Sequence, residues 1–272
     1  MKKIYLIAIV ICMAQLASAQ TTDSVKTDSI TIKKGNRTHV TIEAGPVKVS
    51  VGERDSSKKV KKPVTYPNLT YGLTFEHFDI GLSMYHTGSE FGAPNGYALE
   101  TDTWKTSNIG FDVLQLGLRF SPNVKVMLAA GLDWNHMRLK QNVTIEAEQP
   151  ALTITQEAIK YSKNRFSSRY LRVPLYFEYR SPENKKGKRA SVVFGPEIGF
   201  LLDGKVKQVS KENGKEKFKD DFNLEPFRYG ANIRIGYGGA GLFFKYYMND
   251  VFAKGQGPAD YKNLNFGLTL GF

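Results

Sequence analysis

The chain ends in ten residues with a strict two-residue period. From Asn263 to Phe272 it reads NLNFGLTLGF, so Leu or Phe fills every second position and Asn, Gly or Thr fills the others. Successive side chains of a β-strand point to opposite faces. This strand therefore has one wholly apolar face and one small, polar face. The apolar face has to be covered by a protein core or by lipid.

The same alternation recurs from about Leu69 onward, where helical periodicity is scarce. Period-two runs broken by turn residues predict strands. We expect them at 68–85, 107–120, 124–139, 168–180, 189–202, 227–237, 240–248 and 261–272. The period slips between Phe75 and Phe78, which indicates a bulge or a turn at Glu76 and His77.

The predicted connections alternate in length. Short ones lie at 121–123, 181–188 and 238–239, and long polar ones at 87–106, 140–167, 203–226 and 249–260. Short turns at one end and long loops at the other are typical of outer-membrane barrels. Strands of about nine or more residues are also long enough to cross a bilayer when tilted.

The face opposite the apolar one distinguishes a barrel in lipid from a barrel in water. It combines glycines with charges of both signs, and so many glycines would weaken strands that face water. In a narrow barrel they relieve crowding. We therefore expect Leu128, Ile233 and Phe266 to face lipid, and the lumen to hold a paired plug. Its predicted members are Arg119, Arg172, Glu178, Glu197, Arg228 and Arg234.

The first 19 residues have the pattern of a signal peptide. Lys2 and Lys3 precede a short apolar run, and Ala17-Ser18-Ala19 supplies the small residues of a cleavage site. Cys12 is the only cysteine and lies in this segment. The mature chain is therefore expected to have no disulfide, no thiolate nucleophile and no cysteine metal site.

Residues 20–66 are predicted to be a flexible, basic periplasmic segment. Between Thr21 and Tyr66 there are ten Lys or Arg against five Asp or Glu, about half of the net positive charge that remains when Lys2 and Lys3 are subtracted from the total of +12. The segment has too few large apolar residues to fold alone. Residues 38–51 alternate and could form a small hairpin around Gly45-Pro46. In an exported protein this charge does not indicate nucleic-acid binding.

The fold class predicted from these patterns is all-β. Residues 67–272 should form a single antiparallel, up-and-down transmembrane β-barrel of about eight strands, preceded by the flexible N-terminal segment. The expected location is the outer membrane of a Gram-negative bacterium.

Residues 222–272 resemble the C-terminal half of the PorT-like outer-membrane β-barrel family of Bacteroidetes. The matching elements are Arg228-Tyr229-Gly230, Arg234-Ile235-Gly236-Tyr237, Lys254-Gly255-Gln256-Gly257-Pro258 and Phe272. The stretch at 170–175 resembles the family's strand with a Leu-x-Val-Pro core. The resemblance implies a barrel of about eight strands and implies little about activity.

Motifs that carry chemistry are scarce, and we predict no catalytic, cofactor-binding or metal site. Gly236, Gly238 and Gly241 fit G-x-G-x-x-G, but a strand follows where a nucleotide site needs a helix, so a tight hairpin is favoured. The four histidines have no metal-ligand spacing: His39, His77, His86 and His136. A lipid-hydrolysing triad built on His77 and Asp79 has no supporting spacing.

Three functions are compatible with these observations. The first is a non-catalytic barrel that acts as a structural element or as a binding platform with long extracellular loops. The second is an enzyme that modifies lipid A or phospholipid, and the third is a component of a secretion or envelope assembly system. The expected partners are outer-membrane lipid, the barrel assembly machinery acting through the C-terminal strand, and an unidentified envelope protein.

Overall fold

The computed structural model describes residues 29–34, 38–44, 47–51, 65–74, 76–88, 90–91 and 98–271. The chain separates into two compact units, Met1–Pro63 and Val64–Phe272. The described residues contain strands and one short 3₁₀ turn, Thr103–Lys105. No helix among them is long and apolar enough to cross a bilayer.

In the first unit the described residues form a three-stranded antiparallel sheet. Strands β2 (Thr38–Ala44) and β3 (Val47–Val51) pair as the hairpin considered above, and β1 (Ser29–Lys34) adds to the other edge of β2. The predicted signal peptide, residues 1–19, and the basic run at 58–62 lie outside the described residues.

The described residues of the second unit form thirteen strands. They are β4 (Asn68–Leu73), β5 (Phe78–Thr87), β6 (Glu90–Phe91), β7 (Ser107–Arg119), β8 (Val124–Arg138), β9 (Val143–Ile145), β10 (Ile154–Gln156), β11 (Lys163–Arg180), β12 (Ala190–Val209), β13 (Lys215–Asp220), β14 (Phe227–Tyr237), β15 (Ala240–Tyr247) and β16 (Tyr261–Leu270).

These strands close into a barrel. The hydrogen-bonded order is β4-β7-β8-β11-β12-β14-β15-β16-β5-β6, and β5 also pairs with β7, which closes the ring. Strands β4 and β5 share one place in the wall, because both lie beside β7. With those two counted as one, the wall has eight strands, and the predicted antiparallel β-barrel is confirmed.

The chain turns out of regular pairing between β4 and β5, where the predicted slip in period lies. His77 has a positive φ of 51° and its N–H donates to Gly271 O at 3.2 Å, while Glu76 O accepts from Asp112 N at 3.3 Å. The interruption shifts the alternation of inward and outward positions by one residue. The apolar residues of β5 therefore return to the outer face, and Asp79 points inward.

Two predicted loops are wrong in part, because strands extend into them. β11 begins at Lys163 and β12 continues to Val209, where β13 pairs with its end; β9 and β10 form a separate two-stranded sheet. The sequence at 203–209 does alternate, but between Lys and inward-facing Val or Gln. A scan for apolar alternation misses such a strand.

The distribution of side chains is inverted relative to a water-soluble barrel. Along β14, every second residue is exposed and the residues between are buried. Leu128, Ile233 and Phe266 are 46%, 40% and 36% exposed, whereas Arg234 and Glu197 are 0% and 2% exposed. Arg119, at the end with the short turns, is half-buried. A wall with this apolar exterior requires lipid around it.

The loop end of the barrel is closed by an apolar layer. Inward residues of the wall, such as Tyr85, Phe166 and Tyr261, pack there against side chains from the long connections, such as Leu99 and Phe252. Phe166 stacks on Phe252 with ring centroids 6.3 Å apart. The polar lumen begins directly below this layer.

Candidate functional site

The barrel lumen is filled by a network of buried charges. We call this the luminal network, and its members come from seven of the wall strands. They are Asp79, Asp112, Asp133, Glu197, Arg172, Arg228, Arg234 and Lys245. Each is at an inward position of its strand, and none is more than 5% exposed.

Asp79 is the most heavily paired carboxylate. Arg234 reaches it with two hydrogen bonds, Nε to Oδ1 at 3.0 Å and Nη2 to Oδ2 at 2.8 Å. Arg172 donates from Nη1 at 2.8 Å, and Lys245 Nζ lies 2.8 Å from Oδ2. Two-pronged Arg–carboxylate pairs of this kind fix orientation as well as charge.

Asp112 anchors the other side of Arg172. Nε and Nη2 of the guanidinium lie 2.9 and 2.8 Å from Asp112 Oδ1. Nδ1 of His77 lies 3.0 Å from Asp112 Oδ2, and Arg172 Nη2 also donates to the His77 carbonyl at 3.1 Å. The positive-φ turn at His77 is thus tied into the lumen from both its ring and its backbone.

Asp133 connects the ion pairs around Asp79 to Arg228, which lies nearer the long loops. It accepts from Arg228 Nη2 at 2.6 Å, Lys245 Nζ at 3.0 Å and Asn108 Nδ2 at 3.1 Å. Lys245 therefore bridges Asp79 and Asp133, because its ammonium group contacts both carboxylates.

Arg228 is held between two aromatic rings. Its guanidinium carbon lies 3.9 Å from the ring centroid of Tyr170 and 4.0 Å from that of Tyr247. The Tyr247 hydroxyl donates to Glu197 Oε1 at 2.6 Å. Gly199 lies opposite Arg228 on β12, and a Cβ there would come within 2.8 Å of Arg228 Nε. The absent side chain at Gly199 makes room for the stacked guanidinium.

Gly110 also makes room for charged side chains, at the centre of the luminal network. A Cβ at this position would lie 2.7 Å from both Arg172 Nη1 and Asp133 Oδ1, and 3.1 Å from Lys245 Nζ. The sequence predicted that small inward residues relieve crowding in a narrow barrel. At Gly110 and Gly199 this is the observed geometry.

The formal charges of the luminal network cancel. It contains four carboxylates and four cationic side chains. Buried charges are tolerated when each is paired and hydrogen-bonded. The cavity between the network and the apolar layer has a volume of ≈ 30 Å³ and is lined by residues such as Tyr85, Phe166 and Arg228. Ligand pockets are usually about 300–1,000 Å³. The arrangement therefore fills the barrel and ties its strands together.

The predicted plug is right in four of its six members. Arg172, Arg228, Arg234 and Glu197 do meet in the lumen, although Glu197 contacts Tyr247 and Asn232. Glu178 is also at an inward position and is 2% exposed, but it lies outside the luminal network. It pairs with Arg180 and lies opposite Lys125, at the end with the short turns.

Arg119 also lies outside the luminal network. It lines a groove at the end with the short turns, together with Arg180 and Arg189. The prediction for Arg119 and Glu178 rests on strand parity alone. Parity gives the face of the strand on which a residue lies, but not its height along the barrel axis.

Sequence reasoning did not include Asp79, Asp112, Asp133 and Lys245 in the plug. Lys245 could have been found by parity, because it alternates with the outward Phe244 and Tyr246 in FFKYY. The inward position of Asp79 cannot be predicted by continuing the parity of β4, because the break at His77 shifts the period between the two strands. Which acid meets which base depends on strand order around the ring.

The three histidines of the barrel, His77, His86 and His136, do not form a common site among the described residues. The side chain of His39 lies outside the described residues. His77 contacts Asp112, and His136 Nδ1 lies 2.9 Å from Ser167 Oγ on the outer wall. His86, also outward-facing, meets Tyr246 edge-on at 6.2 Å. Across the described residues, no three His, Asp or Glu side chains are grouped as a metal ion would require.

The nucleotide-like glycine pattern is a hairpin, as predicted. Gly238 and Gly239 connect β14 to β15 with positive φ angles of 63° and 101°. Two residues with positive φ are the requirement of a tight type I′ turn.

One comparison with known proteins identifies a relationship. The model of the family described as "Outer membrane protein beta-barrel domain" matches residues 69–249. No curated protein and no solved structure matched the chain.

Proposed function

The chain belongs to the outer membrane protein beta-barrel domain family and is an integral outer-membrane barrel protein; from that premise we propose a non-catalytic, non-conducting role. In this role the luminal network stabilises the wall from inside, and the long loops act as an extracellular binding platform. A cleaved signal peptide at residues 1–19 would export the chain.

The observation that carries this proposal is the filling of the lumen. Eight-stranded barrels have an interior just wide enough for side chains. Here those side chains form a charge-balanced network under an apolar layer. An ion crossing the barrel would have to displace several buried ion pairs at once, including the three cations on Asp79.

Planar-bilayer recording tests the non-conducting role. The purified protein is expected to insert without stepwise current increases, and insertion is verified by faster gel mobility of unboiled protein from the same proteoliposomes. Steps of porin size from protein verified in this way would contradict the proposal.

The proposed orientation can be tested with single cysteines, since Cys12 is the only natural one and lies in the predicted signal peptide. In intact cells, a membrane-impermeant maleimide should label Asn213→Cys, in the connection between β12 and β13. It should not label Lys186→Cys, in a short turn. The reverse pattern would show that the long loops face the periplasm.

An outer-membrane enzyme is the second candidate, and the His136–Ser167 pair is the observation that favours it. A hydrolase needs a nucleophile beside a base, with a third group orienting the base. In the described part of the chain, no carboxylate lies within ion-pair distance of His136. Overexpression of the wild type but not of Ser167→Ala should then change the lipid A mass spectrum; identical spectra would leave the non-catalytic role as the one supported.

The finer assignment to the PorT-like group is also a proposal. It is supported by Arg228-Tyr229-Gly230, because Arg228 is the stacked guanidinium of the lumen. A Cβ at Gly230 would overlap the carbonyl oxygen of Tyr246 on β15. The motif therefore has a structural reason in this barrel.

Two further partners remain proposals. The apolar alternation of β16 supports recognition by the barrel assembly machinery. A role in a secretion or envelope assembly system would depend on contacts of residues 21–66 with another envelope protein. If a partner co-purifies with the wild type, deletion of residues 21–66 should release it, and co-purification that survives the deletion would refute this role.

A further inference from the structure

A row of four basic side chains crosses the outer wall near the long loops. Arg138 on β8 lies opposite Arg165 on β11, Arg165 lies opposite Lys207 on β12, and Lys207 lies opposite Lys217 on β13. Arg138, Arg165 and Lys207 occupy outward positions, because their neighbours Met137, Phe166 and Val206 are buried in the apolar layer. Lys217 lies on the same face of the sheet as Lys207, its cross-strand partner. The row is set by register and is invisible in the linear sequence.

A second row lies next to it on the side of the membrane belt. There His136, Ser167, Lys205 and Lys219 are opposite one another in turn. These four residues line a groove of ≈ 420 Å³ together with Ile109, Trp134, Arg165, Ser168, Arg169 and Asp203. We call the two rows and this groove the basic outer-wall site.

The site holds like charges at the closest cross-strand positions. Lys205 faces Lys219 and Lys207 faces Lys217, and like charges directly opposite each other destabilise a sheet. The charges of Lys215 and Lys205 lower the pKa of Lys217. Within the described residues, Arg165 Nε is buried without a hydrogen-bond acceptor. A polyanion would offset the repulsion and supply acceptors.

The site also continues into the apolar exterior. Leu132 and Leu171 are paired outward residues four positions along the strands from His136 and Ser167, or about 13 Å at the usual rise per residue. Exposed Phe200 and Leu202 extend the same surface on β12. An amphiphile with acyl chains on this belt would place its headgroup at the lysines.

We propose that the basic outer-wall site binds the phosphate groups of a phosphorylated lipid in the outer leaflet. This inference rests on the proposed orientation, because it requires the long loops to lie outside. Lys and Arg donate charge-assisted hydrogen bonds to phosphate oxygens. Around Ser167, the two rows provide six Lys or Arg side chains and one histidine as potential hydrogen-bond donors: Arg138, Arg165, Lys205, Lys207, Lys217, Lys219 and His136.

The same charges argue against hydrolysis by Ser167. A general base at His136 would have to become an imidazolium ion when it takes the serine proton. Arg165 and Lys205 flank this pair in the sheet, and their positive charges disfavour that form. The serine and histidine act instead as neutral hydrogen-bonding groups on the floor of the groove.

The test compares lipid binding by the full-length protein and a charge-reduced variant, both in neutral detergent. The probes are bisphosphorylated lipid A, the same lipid without phosphates, and inorganic pyrophosphate. Lys205→Thr/Lys219→Thr should bind bisphosphorylated lipid A about a hundredfold more weakly, since two charged hydrogen bonds are lost and each is worth roughly a factor of ten. Threonine preserves strand propensity, and unboiled gel mobility verifies folding.

The matched control is Lys185→Thr/Lys186→Thr, which removes the same charge from a turn at the opposite end. It should bind lipid A as the wild type does. Equal binding by wild type and Lys205→Thr/Lys219→Thr would overturn the proposal. Equal binding of phosphorylated and dephosphorylated lipid, or binding of pyrophosphate with the same affinity as lipid A, would also overturn it.

Failure of this inference can be distinguished from failure of the proposed function. Conductance and cysteine labelling test the filled lumen and the orientation without any lipid. If the Asn213→Cys protein is labelled in cells but Lys205→Thr/Lys219→Thr binds lipid A as the wild type does, only the lipid site is wrong. If labelling shows the long loops in the periplasm, the outer-leaflet assignment fails together with the orientation.

Discussion

At the scale of single residues, the charges of the lumen are the unusual feature of this protein. A buried ion pair adds little net stability compared with a well-packed apolar pair, but removal of one partner is costly. Asp79 is the extreme case, because three cations contact one carboxylate that is 0% exposed. The network should therefore respond strongly to single substitutions.

Asp79→Asn is expected to lower the free energy of unfolding by about 3–5 kcal/mol, the usual cost of leaving buried charge unpaired. Urea titration of the refolded barrel, followed by tryptophan fluorescence, measures it. Glu183→Gln is the control. Its ion pair with Arg189 lies at the surface, where Glu183 is 52% exposed, and surface pairs contribute about 0–1 kcal/mol. Equal losses for the two variants would contradict the role assigned to the luminal network.

Arg228→Lys tests the aromatic stack separately from charge. Lysine keeps the positive charge near Asp133 but cannot lie as a plane between Tyr170 and Tyr247. We expect a loss of about 1–2 kcal/mol in unfolding free energy, in the range of desolvated cation–π contacts. The same urea titration measures it, and a variant as stable as the wild type would show that charge alone matters here.

At the scale of elements, the closing seam between β5 and β16 depends on two glycines. Gly81 and Gly267 are directly opposite each other in the lumen. A Cβ on Gly81 would overlap Phe266 O, and one on Gly267 would overlap the Gly81 backbone. The close approach of the two backbones at this point leaves no room for a side chain.

Gly81→Ala should therefore weaken closure by about 1–3 kcal/mol, as overpacking does. A lower temperature for the loss of fast gel mobility reports the change. Gly72→Ala on β4 is the matched control, since nothing lies within 4 Å of a Cβ there. It should stay within about 0.5 kcal/mol of the wild type. If both variants melted together, crowding at the seam would not be the cause.

Elements were predictable where apolar residues alternate and less so where they do not. The wall strands and the break near His77 were expected from the period. The part of β12 beyond Leu202 and the whole of β13 were not expected, because lysines occupy their outward positions. Register was also beyond the sequence, and register creates both the basic rows and the pairing of Gly81 with Gly267.

At the scale of the whole molecule, the barrel is a self-contained unit. All described wall strands lie within Val64–Phe272, and the pairing partners described for them lie in the same unit. A chain consisting of the signal peptide fused to Val64 should therefore reach the outer membrane as a heat-modifiable barrel. Fractionation with boiled and unboiled gels measures this, and unfolded protein in the periplasm would show that residues 20–63 are needed for assembly.

The sequence by itself determined that the barrel is apolar outside and polar inside, because an alternating strand has only two faces and the glycine-rich, charged face suits a narrow lumen. Only the tertiary structure decided which charges meet. Closing the ring brings Asp79 of β5 beside Arg234 of β14, 155 residues apart in sequence. The register of neighbouring strands aligns the lysines of β12 and β13 with the arginines of β8 and β11. These contacts depend on strand order and stagger, which a local period of two residues does not encode.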